Sequence, residues 1–345
     1  MPDAAELPDS PVPQLVGRSD VIDPARATSG PDSEALGRLA NSPVDIPWRG
    51  WKRVLRRTWR EIISDRVALV AAGCAFYGTL ALFPAITMLI SLYGLLFDPA
   101  TVEPQLATLQ DLLPPSAFQL ISDRVHMLDS KPNGALTTGL LVSTGVALWS
   151  SATGTKSIIS ALNLAYEERE RRGFLEFNLI AFAMTLMALI GAVLGIGIMV
   201  ALPPSLAVLG FTNNTAVLVR GVGVFLLISF VMASLSLLYR FGPCREAARW
   251  RWITPGSSLA TLLWLLASAL FSFYVGHMAT YDVTYGPLGT VVGVMMWFFV
   301  TVYVVLLGAE LNAELELQTA RDSTDGPPRP IGRRGAYVAD HVARR

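Results

Sequence analysis

The sequence predicts an all-α, polytopic membrane protein: six transmembrane helices with an amphipathic helical hairpin on the outer side. Three observations predict it. Hydrophobic residues make up 52% and charged residues 16% of the 345, whereas a typical soluble domain is about 25% charged. Six apolar segments, at about 67–97, 135–161, 174–202, 216–239, 254–275 and 288–309, each reach the ~20 residues that cross ~30 Å of hydrocarbon. The cations, finally, gather in alternate loops. Mean hydropathy is +0.46, which argues against a soluble enzyme. Formal net charge is zero, from 27 basic and 27 acidic residues, so the total does not suggest a nucleic-acid partner. Two cysteines, Cys74 and Cys244, exclude a disulfide framework or a cysteine-rich metal site.

Residues 1–47 hold eight prolines and eight acidic residues and read as a disordered tail. They lack the basic and apolar regions of a secretory signal. Residues 48–66 change character: seven of these nineteen are Arg or Lys. Trp48, Trp51, Leu55, Trp59, Ile62 and Ile63 recur at three- and four-residue spacing. That pattern predicts a basic amphipathic juxtamembrane helix.

Residues 67–317 form the predicted six-helix membrane domain. With no water in the bilayer core, the backbone must bond to itself, so the apolar segments are expected as helices. The first is longer than one crossing needs, and Pro84 near its middle is expected to kink it. The loop at about 101–130 carries two amphipathic stretches split by Pro114 and Pro115. Whether it caps a cavity or lies on the membrane is left open. Residues 318–345, with PPRP and GRRG, read as a second disordered tail.

Counting cations orients the chain. Segment 48–66, the loops after the second and fourth segments and the tail from Leu311 carry 20 Lys or Arg. The opposite loops carry only Arg124 and Lys131. By the positive-inside rule both termini are cytoplasmic, which agrees with an even number of crossings.

Several stretches then look familiar. The first helix contains Ala75-Phe76-Tyr77 and Leu82-Phe83-Pro84, the second ends in SALNLAYEERERRGF, and the last closes on LLGAELNAEL. Over about residues 50–318 the chain resembles the bacterial YihY/virulence factor BrkB family. The resemblance implies a six-helix protein of the bacterial inner membrane with cytoplasmic termini. It also implies links to envelope integrity and to export of lipids or solutes. The family once carried a ribonuclease BN label. Asn312 and Glu314 continue its closing motif past the membrane.

That label can be weighed against the residues. A metal-dependent nuclease needs clustered carboxylates or histidines. The three histidines, His126, His277 and His341, have no ligand partner at motif spacing. Basic loops without an expected pocket offer no acid–base pair for RNA. No enzyme, cofactor, metal or nucleic-acid partner is therefore expected. Membrane lipids are the expected partners, with envelope proteins or a second copy as further candidates.

Charge is absent from the expected bilayer midplane, which argues against a carrier built on buried carboxylates. Lys156, Glu310 and Arg220 are expected at the interfaces, or Lys156 and Glu310 as an inner-face latch. Hydroxyl and amide side chains crowd the second helix: Ser143, Thr144, Ser150, Ser151, Thr153, Thr155, Ser157 and Asn163. Such residues bond neighbouring helices or line a wet cavity. The expected pathway or gate therefore comprises Pro84, Ser143, Ser150, Ser151, Thr155, Lys156, Asn163, Glu310 and Asn312. The leading expectation is a passive or partner-driven transporter of lipid-like or small amphiphilic molecules; the alternative is a non-transporting envelope scaffold.

Overall fold

The computed structural model describes residues 21–22, 33–96, 133–196, 213–277 and 287–343. The chain is helical almost throughout. Helix α1 (Trp48–Ser64) leads into α2 (Val67–Leu96), followed by α3 (Asn133–Ala165), α4 (Phe174–Ile196), α5 (Asn213–Phe241), α6 (Trp250–His277), α7 (Pro287–Gln318) and the single turn α8 (Tyr337–Asp340). Two short strands, β1 (Val21–Ile22) and β2 (Val342–Ala343), pair antiparallel and bring the two ends of the chain together.

Six of these helices match the six apolar segments. They close into a ring in which α2 packs on α3, α3 on α4, α4 on α5, α5 on α6, α6 on α7 and α7 back on α2. Helix α7 also touches α1 and α3. Helices α4, α5, α6 and α7 are each long and apolar enough to span a bilayer. A fifth span arises if α1 and α2 count as one path bent by 61°. Six crossings are thus not established. Only 18%, 11%, 22% and 28% of the apolar windows of α4 to α7 lie buried inside the protein. So much apolar surface turned outward is what lipid, not water, accommodates. The predicted outer hairpin at 101–130 falls outside the described residues.

Close packing has local causes. A Cβ on Gly256 of α6 would meet the Gly308 carbonyl oxygen of α7, and one on Gly308 would stand 2.5 Å from the Tyr239 hydroxyl. These two glycines let the α6 and α7 backbones touch. Gly191 of α4 faces the Phe230 ring of α5, where its missing side chain serves packing within the ring. The α1–α2 bend falls at Arg66, whose φ of 51° places it in the left-handed region and breaks the helix there.

Helix α1 turns Gly50, Val54, Arg57 and Glu61 inward and leaves Trp48, Leu55, Trp59 and Ile63 exposed. Its apolar stripe therefore faces outward, as an interfacial helix requires. Trp250 is likewise exposed, whereas Trp252 is 1% exposed and belongs to the core.

The described parts of both terminal segments are folded. Residues 33–47 fold over α1, burying Leu36, Ala40 and Ile46. Residues 319–343 fold as well, burying Ser323, Thr324, Arg334, Val338 and Val342. Composition suggested disorder because proline and charge are frequent. The charges instead satisfy backbone carbonyls: Arg334 donates to the carbonyls of Ala320, Arg321, Arg329 and Ala339. Arg38 reaches the Ala343 carbonyl at 2.7 Å and that of Gln318 at 3.5 Å. His341, assigned to a disordered tail, stacks on Tyr337 with ring centroids 4.0 Å apart.

Candidate functional site at the charged end of the bundle

Helix α7 does not stop where its apolar run stops. It continues through GAELNAELELQ to Gln318, nine residues past the predicted end at 309. Four-residue spacing puts Glu310, Glu314 and Gln318 on one face and Asn312 and Glu316 on another. All five are at most 1% exposed. Buried carboxylates need partners, and arginines from distant segments supply them.

On the first face, Arg57 of α1 donates from Nε to Glu314 Oε2 at 2.5 Å and from Nη2 to Gln318 Oε1 at 2.8 Å. Gln318 Nε2 continues to the Leu36 carbonyl at 2.6 Å. On the second face, Arg245 donates to Glu316 at 2.6 Å, and neither side chain is exposed at all. Glu316 also accepts the Ser323 hydroxyl at 2.7 Å. The Arg245 guanidinium lies 4.4 Å from the Tyr166 ring centroid. Burial works against the charge of Arg245, but Glu316 and Tyr166 outweigh it and raise its pKa. Burial pushes the Tyr166 phenol up.

Asn312 accepts the Gly256 backbone N–H at 2.8 Å. Pro255 stands just before it inside α6, where a proline disturbs the helical bonding. Asn163, at the end of α3, accepts the Cys244 N–H at 2.7 Å and donates to Glu170 at 2.9 Å. Arg172 grips Glu170 with two bonds of 2.7 Å. Burial raises the pKa of Glu170, yet these donors outweigh it and lower it to about 2. For Glu168 burial prevails and the pKa is raised; its Oε1 accepts the Tyr337 N–H at 2.7 Å, tying the C-terminal segment down.

Of the predicted pathway, Asn163, Glu310 and Asn312 therefore meet at this charged end. Pro84 is half-buried inside α2, remote in sequence from the network. Ser151 is buried, while Ser150 and Thr155 are half-buried. Thr155 shares a 2.7 Å hydrogen bond with Thr185 of α4. The side chain of Ser143 lies outside the described residues. The Lys156–Glu310 latch does not form: Lys156 lies 4.6 Å from the Trp149 ring centroid, and Glu310 is enclosed at 0% exposure.

A pocket was not expected at this end, yet a concavity of about 500 Å³ opens there, bordered by Arg172, Glu176, Arg240, Cys244, Arg245 and Glu246. Arg240 pairs with Asp325 at 2.6 Å and lies over Trp250 at 4.6 Å. Sequence reasoning counted these arginines for orientation but missed their pairing. The available signal was the four-residue spacing of carboxylates in α7. Among the described residues no three of His, Cys, Asp and Glu gather as a metal site.

Comparison with known proteins places this arrangement. The chain is 32% identical to a ribonuclease-like protein, YfkH of Bacillus subtilis, over 71% of this chain and 88% of the relative. It is 28% identical to a UPF0761 membrane protein of Albidiferax ferrireducens, over 83% of this chain and 67% of the relative. A UPF0761 membrane protein of Tolumonas auensis is 27% identical, over 79% of this chain and 89% of the relative. No solved structure matches. Residues 58–331, which hold all six long helices and the charged network below them, match the family described as Virulence factor BrkB, and the chain belongs to that family of multi-pass bacterial membrane proteins.

Proposed function

We propose that the protein resides in the inner membrane with both termini in the cytoplasm. There it acts as a passive or partner-driven transporter of lipid-like or small amphiphilic molecules. One observation carries the reading: the hydroxyl-bearing seam between α3 and α4. Thr155 and Thr185 bond across it, and Ser150, Thr155 and Lys156 stay half-buried, with Thr153 exposed. Thr155 lies ten residues from the end of α3 at Ala165, about 15 Å along the helix at ~1.5 Å per residue. Polar side chains at such depth rarely face lipid without a partner. A half-open polar seam between spanning helices suits a molecule with a polar head and an apolar body. The concavity at the charged end borders the same helix: Glu176 and Ile180 of α4 line it.

Reconstitution into liposomes tests the reading, by following labelled phospholipid movement and solute release. Rates above those of empty vesicles, reduced by Thr155→Leu, are expected. Rates equal to empty vesicles remove the proposal.

The folded collar built from residues 33–47 and 319–343 supports a second reading, the envelope scaffold. It predicts inactive proteoliposomes together with specific cross-links from the collar to another envelope protein in cells. Ribonuclease activity, suggested by the name of the Bacillus relative, forms no part of either reading.

A further inference from the structure

The concavity at the charged end has a chemistry of its own. Four arginines, Arg171, Arg172, Arg240 and Arg245, line it, with two glutamates, Glu176 and Glu246; Arg171 is the most exposed of the four and Arg245 is enclosed behind it. Each guanidinium already has one carboxylate partner, in turn Glu168, Glu170, Asp325 and Glu316. Those bonds do not exhaust the donors. Nε of Arg240, and both Nε and Nη1 of Arg245, are buried with no acceptor among the described residues. A guanidinium offers five N–H donors and no acceptor, and its geometry suits a group with several anionic oxygens. Of the two bordering carboxylates, Glu246 is itself paired with Arg329 at 3.2 Å.

Position points to the source of the anion. Helix α4 begins its apolar span at Phe174, and α5 ends its span at Phe241. Phe241 and Ile180 border the concavity itself, and Phe174, Leu175 and Leu179 nearby are exposed. The basic wall therefore stands at headgroup depth, with apolar surface beside it for acyl chains. A volume of about 500 Å³ lies within the range of small-ligand sites. We infer that this concavity binds the phosphate of an anionic membrane lipid. The inference goes beyond transport, since a resident lipid would bind there as well as a cargo.

Cys244 borders the concavity and supplies a reporter. In a Cys74→Ala background it is the one remaining thiol of the two in the chain. Alkylation by an uncharged maleimide is followed in nanodiscs of phosphatidylcholine with rising fractions of phosphatidylglycerol. Val44→Cys in a cysteine-free background, at a position 91% exposed, corrects for general surface effects. Phosphatidylglycerol is expected to slow Cys244 about ten-fold relative to that control, with millimolar inorganic phosphate in pure phosphatidylcholine having little effect. Arg171 is 75% exposed, so Arg171→Gln leaves the fold intact. It should raise the lipid fraction needed for protection about five-fold, the worth of about 1 kcal/mol for one basic residue at an anionic surface. Protection by phosphate but not by the lipid overturns the lipid source. Equal labelling in all discs overturns the site, and lipid protection unchanged by Arg171→Gln overturns the role of the basic wall.

Discussion

Glu316→Gln is the most informative single change. It keeps the shape of the side chain and removes its charge. Arg245 would then sit with its guanidinium wholly enclosed and its hydrogen-bonded carboxylate gone. Removing one partner of a buried ion pair costs about 3–5 kcal/mol, because the other charge stays desolvated. At about 2–4 °C per kcal/mol for a domain of this size, the melting temperature should fall by about 6–20 °C. The assay is thermal unfolding in detergent micelles, read by intrinsic tryptophan fluorescence; Trp250 and Trp252 open α6 beside the network. The double variant Arg245→Met with Glu316→Leu removes both charges and should recover most of the loss, since apolar replacement of a buried pair is often neutral. Two results would refute the reasoning. One is a Glu316→Gln protein melting within about 2 °C of the wild type. The other is a double variant no more stable than the single one.

Three further outcomes follow from the packing and the charges. Gly308→Ala places a methyl 2.5 Å from the Tyr239 hydroxyl and 2.7 Å from the Gly256 carbonyl oxygen. It should destabilise by about 1–3 kcal/mol, whereas Gly293→Ala, with nothing within 4 Å, should be harmless by the same melting assay. A double-mutant cycle on Thr155→Val and Thr185→Val should return a coupling of about 0.6 kcal/mol; a zero coupling would mean that the bond across the seam is not made. Glu170, held at about 2 in the folded protein, has an unfolded value near ~4.3. A depressed carboxyl stabilises above its unfolded value, and that contribution is lost as pH falls through the folded one. The gap in melting temperature between wild type and Glu170→Gln should therefore close between about pH 4.3 and pH 2.

The helices of the membrane core were largely legible because long apolar runs are dictated by lipid alone. The predicted segment 67–97 became Val67–Leu96, and 288–309 became the apolar part of Pro287–Gln318. What could not be read was everything that depends on partners far apart in sequence. Arg57 and Glu314 are separated by 257 residues, and neither residue announces the other. The same blindness hid the folded tails, where Arg38 and Arg334 serve carbonyls, not solvent. It also produced the Lys156–Glu310 latch, for which helix length was a guide to depth but not to facing. Of the hydroxyls crowded on α3, Thr155 bonds a neighbouring helix through Thr185.

The pairing of Val21 with Ala343 and of Ile22 with Val342 sets an order of events during synthesis. The opening strand leaves the ribosome first yet finds its neighbour only after more than three hundred further residues have been made and threaded into the bilayer. At roughly 5–20 residues per second, that opening stretch waits on the order of 20–60 s. A ribosome stalled anywhere before β2 would leave Arg38 without the Ala343 carbonyl it clasps. Closure of β1 on β2 thus waits until the six long helices between them have been made.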